Sequence, residues 1–325
     1  MPTRPQPAQP REWQRFVAIG DSFTEGMVDA DPRQEGEYLG WSDRVASALA
    51  ARNTGQGLPF GYANLAIRGR LIDQIIDEQL DAALALRPDL VSFSAGGNDV
   101  LRPRVSLEEV MGKLESGVER IRDAGADVLL FTAPNVAWAS LVNRVHPRMV
   151  EYTAELWAVG QRTGAFVVDI YTMRSLRDPR MWGQDRIHFS SQGHARIAAQ
   201  VLWTLGLPFE VCDWDEPLAE APPLGRFESL QADREWVTSH LRPWIRRRLR
   251  GESSGDERHA KRPEVLPLDP DELPLTDLPA DLPDDSADPS LVPDAEVRDV
   301  AEPPLLEADV HRTLRDRLRR RSDPS

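Results

Sequence analysis

Between residues 15 and 170 the chain repeats one pattern, a short apolar β-type run followed by an amphipathic helical stretch. The runs are "RFVAIG" (15–20), "YANLAI" (62–67), "DLVSFSAG" (89–96), "DVLLFTAP" (127–134) and "AFVVDI" (165–170). Helical spacing covers about 41–52, 71–86, 106–123, 148–163 and 190–205. In the second of these, Leu71, Ile72, Ile75, Ile76, Gln79, Leu80 and Ala83 share one face and acids take the other. Ser190 or Ser191 is placed to cap the last one. Strands that are apolar nearly throughout must be covered on both faces, which means a parallel sheet between helical layers. Five strands joined by right-handed crossovers predict an α/β fold, a flavodoxin-like three-layer α/β/α sandwich.

The pattern runs out near residue 212. Residues 1–12 are Pro-rich and polar and read as a disordered leader, and 13–212 as the folded domain. Within the extension 213–250, "REWVTSHLRPWIRRRLR" (234–250) reads as a basic amphipathic helix interrupted at Pro243. Residues 251–325 form a Pro/Asp-rich acidic tail. Such a composition cannot pack a core and is expected to be disordered, with a short basic helix at 305–321.

The net charge of −14 is local to that tail. Between Pro263 and Asp309 stand fifteen acids and one arginine, so the rest of the chain is balanced, with 38 basic and 38 acidic residues. A neutral folded part lacks the overall basic character of a nucleic-acid binder. The basic helix is read as a solvated face rather than a nucleic-acid or anionic-membrane site, and the acidic tail is expected to associate with its Arg242–Arg250 surface. Cys212 is the single cysteine, which excludes an intrachain disulfide and a thiolate zinc cluster. The first residues lack the apolar stretch of a secretory signal, and no stretch approaches the ~20 apolar residues of a membrane span. A cytoplasmic protein is expected.

In an open parallel sheet, ligands bind at the carboxyl ends of the strands. The first run delivers Gly20, Asp21 and Ser22 there, the second Arg68 and Gly69, and the third Gly96, Gly97, Asn98 and Asp99. The fifth leads through a loop to Asp185 and His188. Together these make an acyl-transfer set. A serine hydroxyl needs a base, and histidine is the side chain that titrates near neutrality. The histidine needs a carboxylate to fix its tautomer, and Asp185 stands three residues before it. The backbone N–H groups of Ser22 and Gly69 and the side-chain amide of Asn98 would supply an oxyanion hole.

"GDSFTEG", "NLAIRG", "GGND" and "DRIHFSSQGH" resemble, in order and spacing, the four sequence blocks of the SGNH hydrolases (GDSL esterases and lipases), over about residues 14–208. The resemblance implies a serine esterase with Ser22 as nucleophile, Asp185 and His188 completing the triad, and Gly69 and Asn98 as oxyanion donors. It also implies no metal or organic cofactor and a small-molecule ester as substrate, with short acyl or acetyl esters as the guess. Phe23 stands where the family name implies leucine.

Singly, each of these residues has a plainer reading. Ser22 would serve as a helix cap, Asp185 and His188 as loop and cap residues, and Gly69 and Asn98 as turn residues. Asp185, His188 and His194 would also make a metal set, but no separate ligand cluster stands nearby, and His194 reads as structural. Trp138 and Trp182, in loops after the fourth and fifth strands, divide between core packing and lining a substrate pocket. Two rivals to a soluble esterase are a membrane-surface (lyso)phospholipase using the basic helix and a binding or scaffold protein on a retained esterase fold.

Overall fold

A computed structural model of the chain describes residues 11–136, 145–207, 214–219, 254–256, 258–268 and 270, with 234, 236, 238 and 239. Five parallel strands form where the apolar runs predict them: β1 (Arg15–Ile19), β2 (Gly61–Asn64), β3 (Leu90–Phe93), β4 (Asp127–Phe131) and β5 (Phe166–Val168). Their order is β5-β4-β3-β1-β2, so the chain reverses direction across the sheet between β1 and β3. That reversal opens a crevice at the carboxyl ends of these two strands.

The helices are α1 (Ser22–Glu25), α2 (Trp41–Thr54), α3 (Ile72–Ile75), α4 (Asp81–Ala85), α5 (Gly97–Val100), α6 (Leu107–Asp123), α7 (His146–Thr163) and α8 (Ser191–Leu205). A π-helical turn, Ile76–Leu80, joins α3 to α4. Helix α2 packs on α8, while α6 packs on α3 and α7, and these two layers sandwich the sheet. Phe16, Val17, Ala18 and Ile19 of β1 are fully buried, as a central strand covered on both faces requires. Among the described residues no helix is long and apolar enough to cross a membrane.

The sheet does not stop at five strands. Residues Arg262–Pro267 form β6, antiparallel to β2, and extend the sheet at that edge. This corrects the five-stranded all-parallel expectation, and at these residues it corrects the expected disorder of 251–325. "RPEVLP" carries two prolines and an acid and has no strand pattern of its own. It is ordered by long-range pairing with an edge whose Gly61 leaves room for it: a Cβ there would lie 2.6 Å from Val265 Cγ1. Prolines suit an edge strand, where one row of backbone groups faces outward. Residues 1–10, Trp138, 240–250 and 271–325 lie outside the described residues, and with them the expected association of the tail with the basic helix.

The segment between α1 and α2 is held by backbone contact and buried charge. Gly26 ends α1 with φ +92°, and a Cβ on it would fall 1.4 Å from the Leu39 carbonyl oxygen. Arg44 of α2 is buried against Asp29 and donates to Ser191 Oγ at 3.0 Å, tying this segment to the start of α8. Gly26→Ala is expected to cost at least about 2 kcal/mol in urea unfolding, since it combines a left-handed backbone with a backbone collision. A change under about 0.5 kcal/mol would contradict that close approach.

Candidate active site

Strand β1 ends in a turn too crowded for a side chain. Gly20 has φ +155°, and a Cβ there would stand 2.8 Å from both Ser94 O and Thr24 Oγ1. The buried Gln79 amide clamps the same residue, accepting from Gly20 N at 2.8 Å and donating to Gly20 O at 3.0 Å. Asp21 then caps α1, its Oδ1 accepting from Phe23 N at 3.1 Å. Ser22 follows as the first residue of that helix. Phe23 is wedged into an aromatic cluster, stacked on Trp41 and edge-on to Phe131 and Phe189.

The loop after β5 brings the imidazole to the serine. His188 Nε2 lies 3.0 Å from Ser22 Oγ, across 166 residues of sequence. Its Nδ1 lies 2.6 Å from Asp185 Oδ2, and Asp185 Oδ1 accepts from the backbone N–H groups of Ile187 and His188, each at 3.0 Å. Burial pushes the Asp185 carboxyl up, but the His188 ring and these N–H groups outweigh it and hold the group below its ordinary value. An ionised Asp185 accepts from Nδ1–H, which leaves Nε2 as the acceptor facing the serine. Trp236 Nε1 donates to Asp185 O at 2.7 Å and steadies the turn from behind.

The expected oxyanion donors divide. The N–H groups of Ser22 and Gly69 have no hydrogen-bond partner among the described residues. Gly69, with φ +74°, sits in the turn after β2, and Ile67 N–H binds Gly20 O at 3.2 Å, seaming this turn to the end of β1. Asn98 is also at this edge, but its Nδ2 donates to Asp21 Oδ2 at 2.9 Å and to Arg70 O at 3.1 Å. Its amide thus bridges the residue before Ser22 and the residue after Gly69.

Trp182 is placed in the packed interior. It is 4% exposed, its ring lies on Phe189, and its indole N–H donates to Leu176 O at 2.8 Å. These are core-packing contacts. His194 is buried too, with Nδ1 accepting from Trp41 N–H, an otherwise orphan donor at the start of α2.

The sequence named Gln79 and Arg68 without their roles and left Glu25 unremarked. Gln79 carried a signal, a polar residue in an otherwise apolar stripe. Glu25 of α1 and Arg68 lie within the blocks "GDSFTEG" and "NLAIRG" and form a buried ion pair, with Glu25 Oε2 also accepting from Arg68 N at 2.7 Å. Arg68 further lies over the Tyr38 ring at 5.1 Å.

Residues 18–196, more than half of the chain, match the GDSL-like lipase/acylhydrolase family. The chain belongs to that family. It is a hydrolase acting on ester bonds. Among solved structures it is similar to an acetylxylan esterase from Geobacillus stearothermophilus, at 23% identity and a TM-score of 0.50, covering 64% of this chain and 97% of that one. It is also similar to an α/β hydrolase from the metagenome of Lake Arreo, Spain, at 23% identity and a TM-score of 0.51, covering 61% and 97%. At such identities the likeness bears on the fold. Among curated proteins no match is found. Trp236 and β6 lie beyond the part that matches the family.

Two buried groups near the serine titrate in opposite senses. Burial raises Asp21 from 3.8 to about 6, helped by the charges of Asp99 and Glu25 and opposed by the Phe23 N–H and His188. Burial lowers His194 from 6.5 to about 4. Asp21 holds its proton more tightly when folded, so its contribution to stability is lost as pH rises from 3.8 through 6. His194 binds a proton more readily when unfolded, so its contribution is lost as pH falls from 6.5 toward 4. Each term is on the order of 3 kcal/mol, and in the wild type they offset each other. In urea unfolding between pH 4 and 6.5, Asp21→Asn should steepen the loss of stability toward acid, and His194→Asn should reverse it. Parallel profiles for all three proteins would contradict this account of the two groups.

Proposed function

We propose that the chain is a serine esterase in which Ser22, His188 and Asp185 form the catalytic triad. The reading is carried by one observation: a hydroxyl, an imidazole and an ionised carboxylate stand in series at 3.0 and 2.6 Å. Ser22 Oγ attacks the ester carbonyl carbon while its proton passes to His188 Nε2. The carbonyl electron pair moves to oxygen, and the N–H groups of Ser22 and Gly69 receive it. As the intermediate collapses, the C–O bond to the alcohol breaks and His188 returns the proton to that oxygen. Water then attacks the acyl-serine, again giving a proton to His188. Collapse frees the carboxylic acid and restores Ser22 Oγ–H. Asp185 stays ionised, fixing the tautomer and steadying the imidazolium.

Asn98 joins as a third donor by exchanging the Arg70 carbonyl for the oxyanion, while Asp21 keeps its amide aimed. The substrate proposed is a small-molecule ester with a short acyl or acetyl group. The ring of Phe23, the residue after the serine, packs into the core against Trp41, Phe131 and Phe189.

With p-nitrophenyl esters of graded chain length, turnover should peak at the shortest acyl groups. Ser22→Ala should lower kcat by about 10⁴-fold or more. Asn98→Ala should lower kcat by roughly 10²–10³-fold. Undiminished turnover by Ser22→Ala would overturn the proposal, and a preference for long acyl chains would overturn the substrate assignment.

A further inference from the structure

We propose that the C-terminal segment carrying β6 belongs to the active site, with Lys261 and Gly255 as positioning residues that set the Gly69 N–H against Ser22. The inference rests on the reading above, in which that N–H receives the oxyanion.

Lys261 enters from just before β6, and its side chain is 10% exposed. Its Nζ donates to Glu25 O at 2.8 Å and Tyr38 O at 3.0 Å and meets Asp43 Oδ2 at 2.6 Å, with Leu39 O at 3.5 Å. An ammonium has three protons, so this pocket occupies it fully. Glu25 is the last residue of the helix that Ser22 begins. The Glu25 carboxylate in turn holds both the backbone N–H and the guanidinium of Arg68. One buried ammonium therefore fixes the end of the nucleophile helix, and that helix fixes the residue before Gly69.

The same segment bears on the Gly69 turn from a second direction. A Cβ on Gly255 would lie 2.1 Å from Arg68 O and 2.9 Å from Ile67 Cγ2. The Arg68 carbonyl and the Gly69 N–H belong to one planar peptide unit, so pressure on the oxygen tilts the N–H. Beside it, Arg70 Nη1 reaches Asp256 Oδ1 at 3.3 Å, and the Arg70 carbonyl is the one that holds Asn98. Gly255, Asp256 and Lys261 thus bracket the turn that presents the proposed oxyanion donor. All three lie outside the part of the chain that matches the family.

The test compares full-length wild type, Lys261→Met, Gly255→Ala, Ser22→Ala and, as a control, Glu264→Gln at an exposed position of β6. The measurement is hydrolysis of p-nitrophenyl acetate, with active sites counted from the end-point of fluorophosphonate labelling. Dividing by labelled sites removes any loss due to misfolded protein. Lys261→Met and Gly255→Ala should each lower kcat per active site by roughly 10–100-fold, the scale of a sub-ångström to 1 Å misplacement. KM should stay within about twofold, since a donor used chiefly in the transition state is what moves. Glu264→Gln should match wild type. Should Lys261→Met fail to fold, Gly255→Ala decides alone, because it removes no side-chain partner and adds one methyl. Wild-type kcat per active site in Gly255→Ala, with Ser22→Ala inactive, overturns this inference and leaves the triad standing. Undiminished turnover in Ser22→Ala is the distinct failure of the underlying reading.

Discussion

Parallel strands all end at the same edge, and the chemistry of this protein depends on that constraint. Residues separated by 166 positions meet at 3.0 Å because β1 and the loop beyond β5 both open there. The meeting is useful only if the serine is held still. Gly20 admits no side chain, Gln79 grips both its N–H and its carbonyl, and Asp21 caps the short helix that follows. Three hydrogen bonds are thereby spent on the two residues that precede the serine. Such a local concentration of hydrogen bonds is the form that preorganisation takes in a folded chain.

Much of this was legible in the sequence, and the reasons differ from part to part. Strands β1 to β5 announced themselves because a strand buried on both faces must be nearly continuously apolar, as "FVAI" and "VLLF" are. That Ser22, Gly69, Asn98, Asp185 and His188 would gather at one edge was legible through topology together with motif. What Asn98 does with its amide was not, because nothing local indicates that Asp21 and the Arg70 carbonyl will claim it. Strand β6 was illegible for a related reason. Its sequence favours no strand, and the pairing comes from an edge some two hundred residues earlier. Nothing in the sequence around Lys261 marks it, and only the fold turns it into a buried cross-link.

The family match ends at residue 196, whereas the structure continues to build on the sheet and on the loops of the candidate site after that point. Trp236 supports the Asp185 turn, and Lys261 closes over the end of α1. Polar contacts buried in this way are costly to leave half-made, since each orphaned carbonyl or carboxylate then loses water without gaining a partner. The C-terminal segment is therefore continuous, energetically, with the domain that carries the motifs. The acidic composition around it disguises that continuity in the sequence.

In the proposed mechanism the His188 imidazole activates the Ser22 hydroxyl. The most direct measurement is the rate at which a fluorophosphonate modifies the protein, with the adduct located by peptide mass mapping in wild type and in His188→Ala. A single adduct on Ser22, forming at least about 10³-fold more slowly in His188→Ala, is the predicted result. Equal rates in the two proteins, or an adduct on another residue, would contradict it.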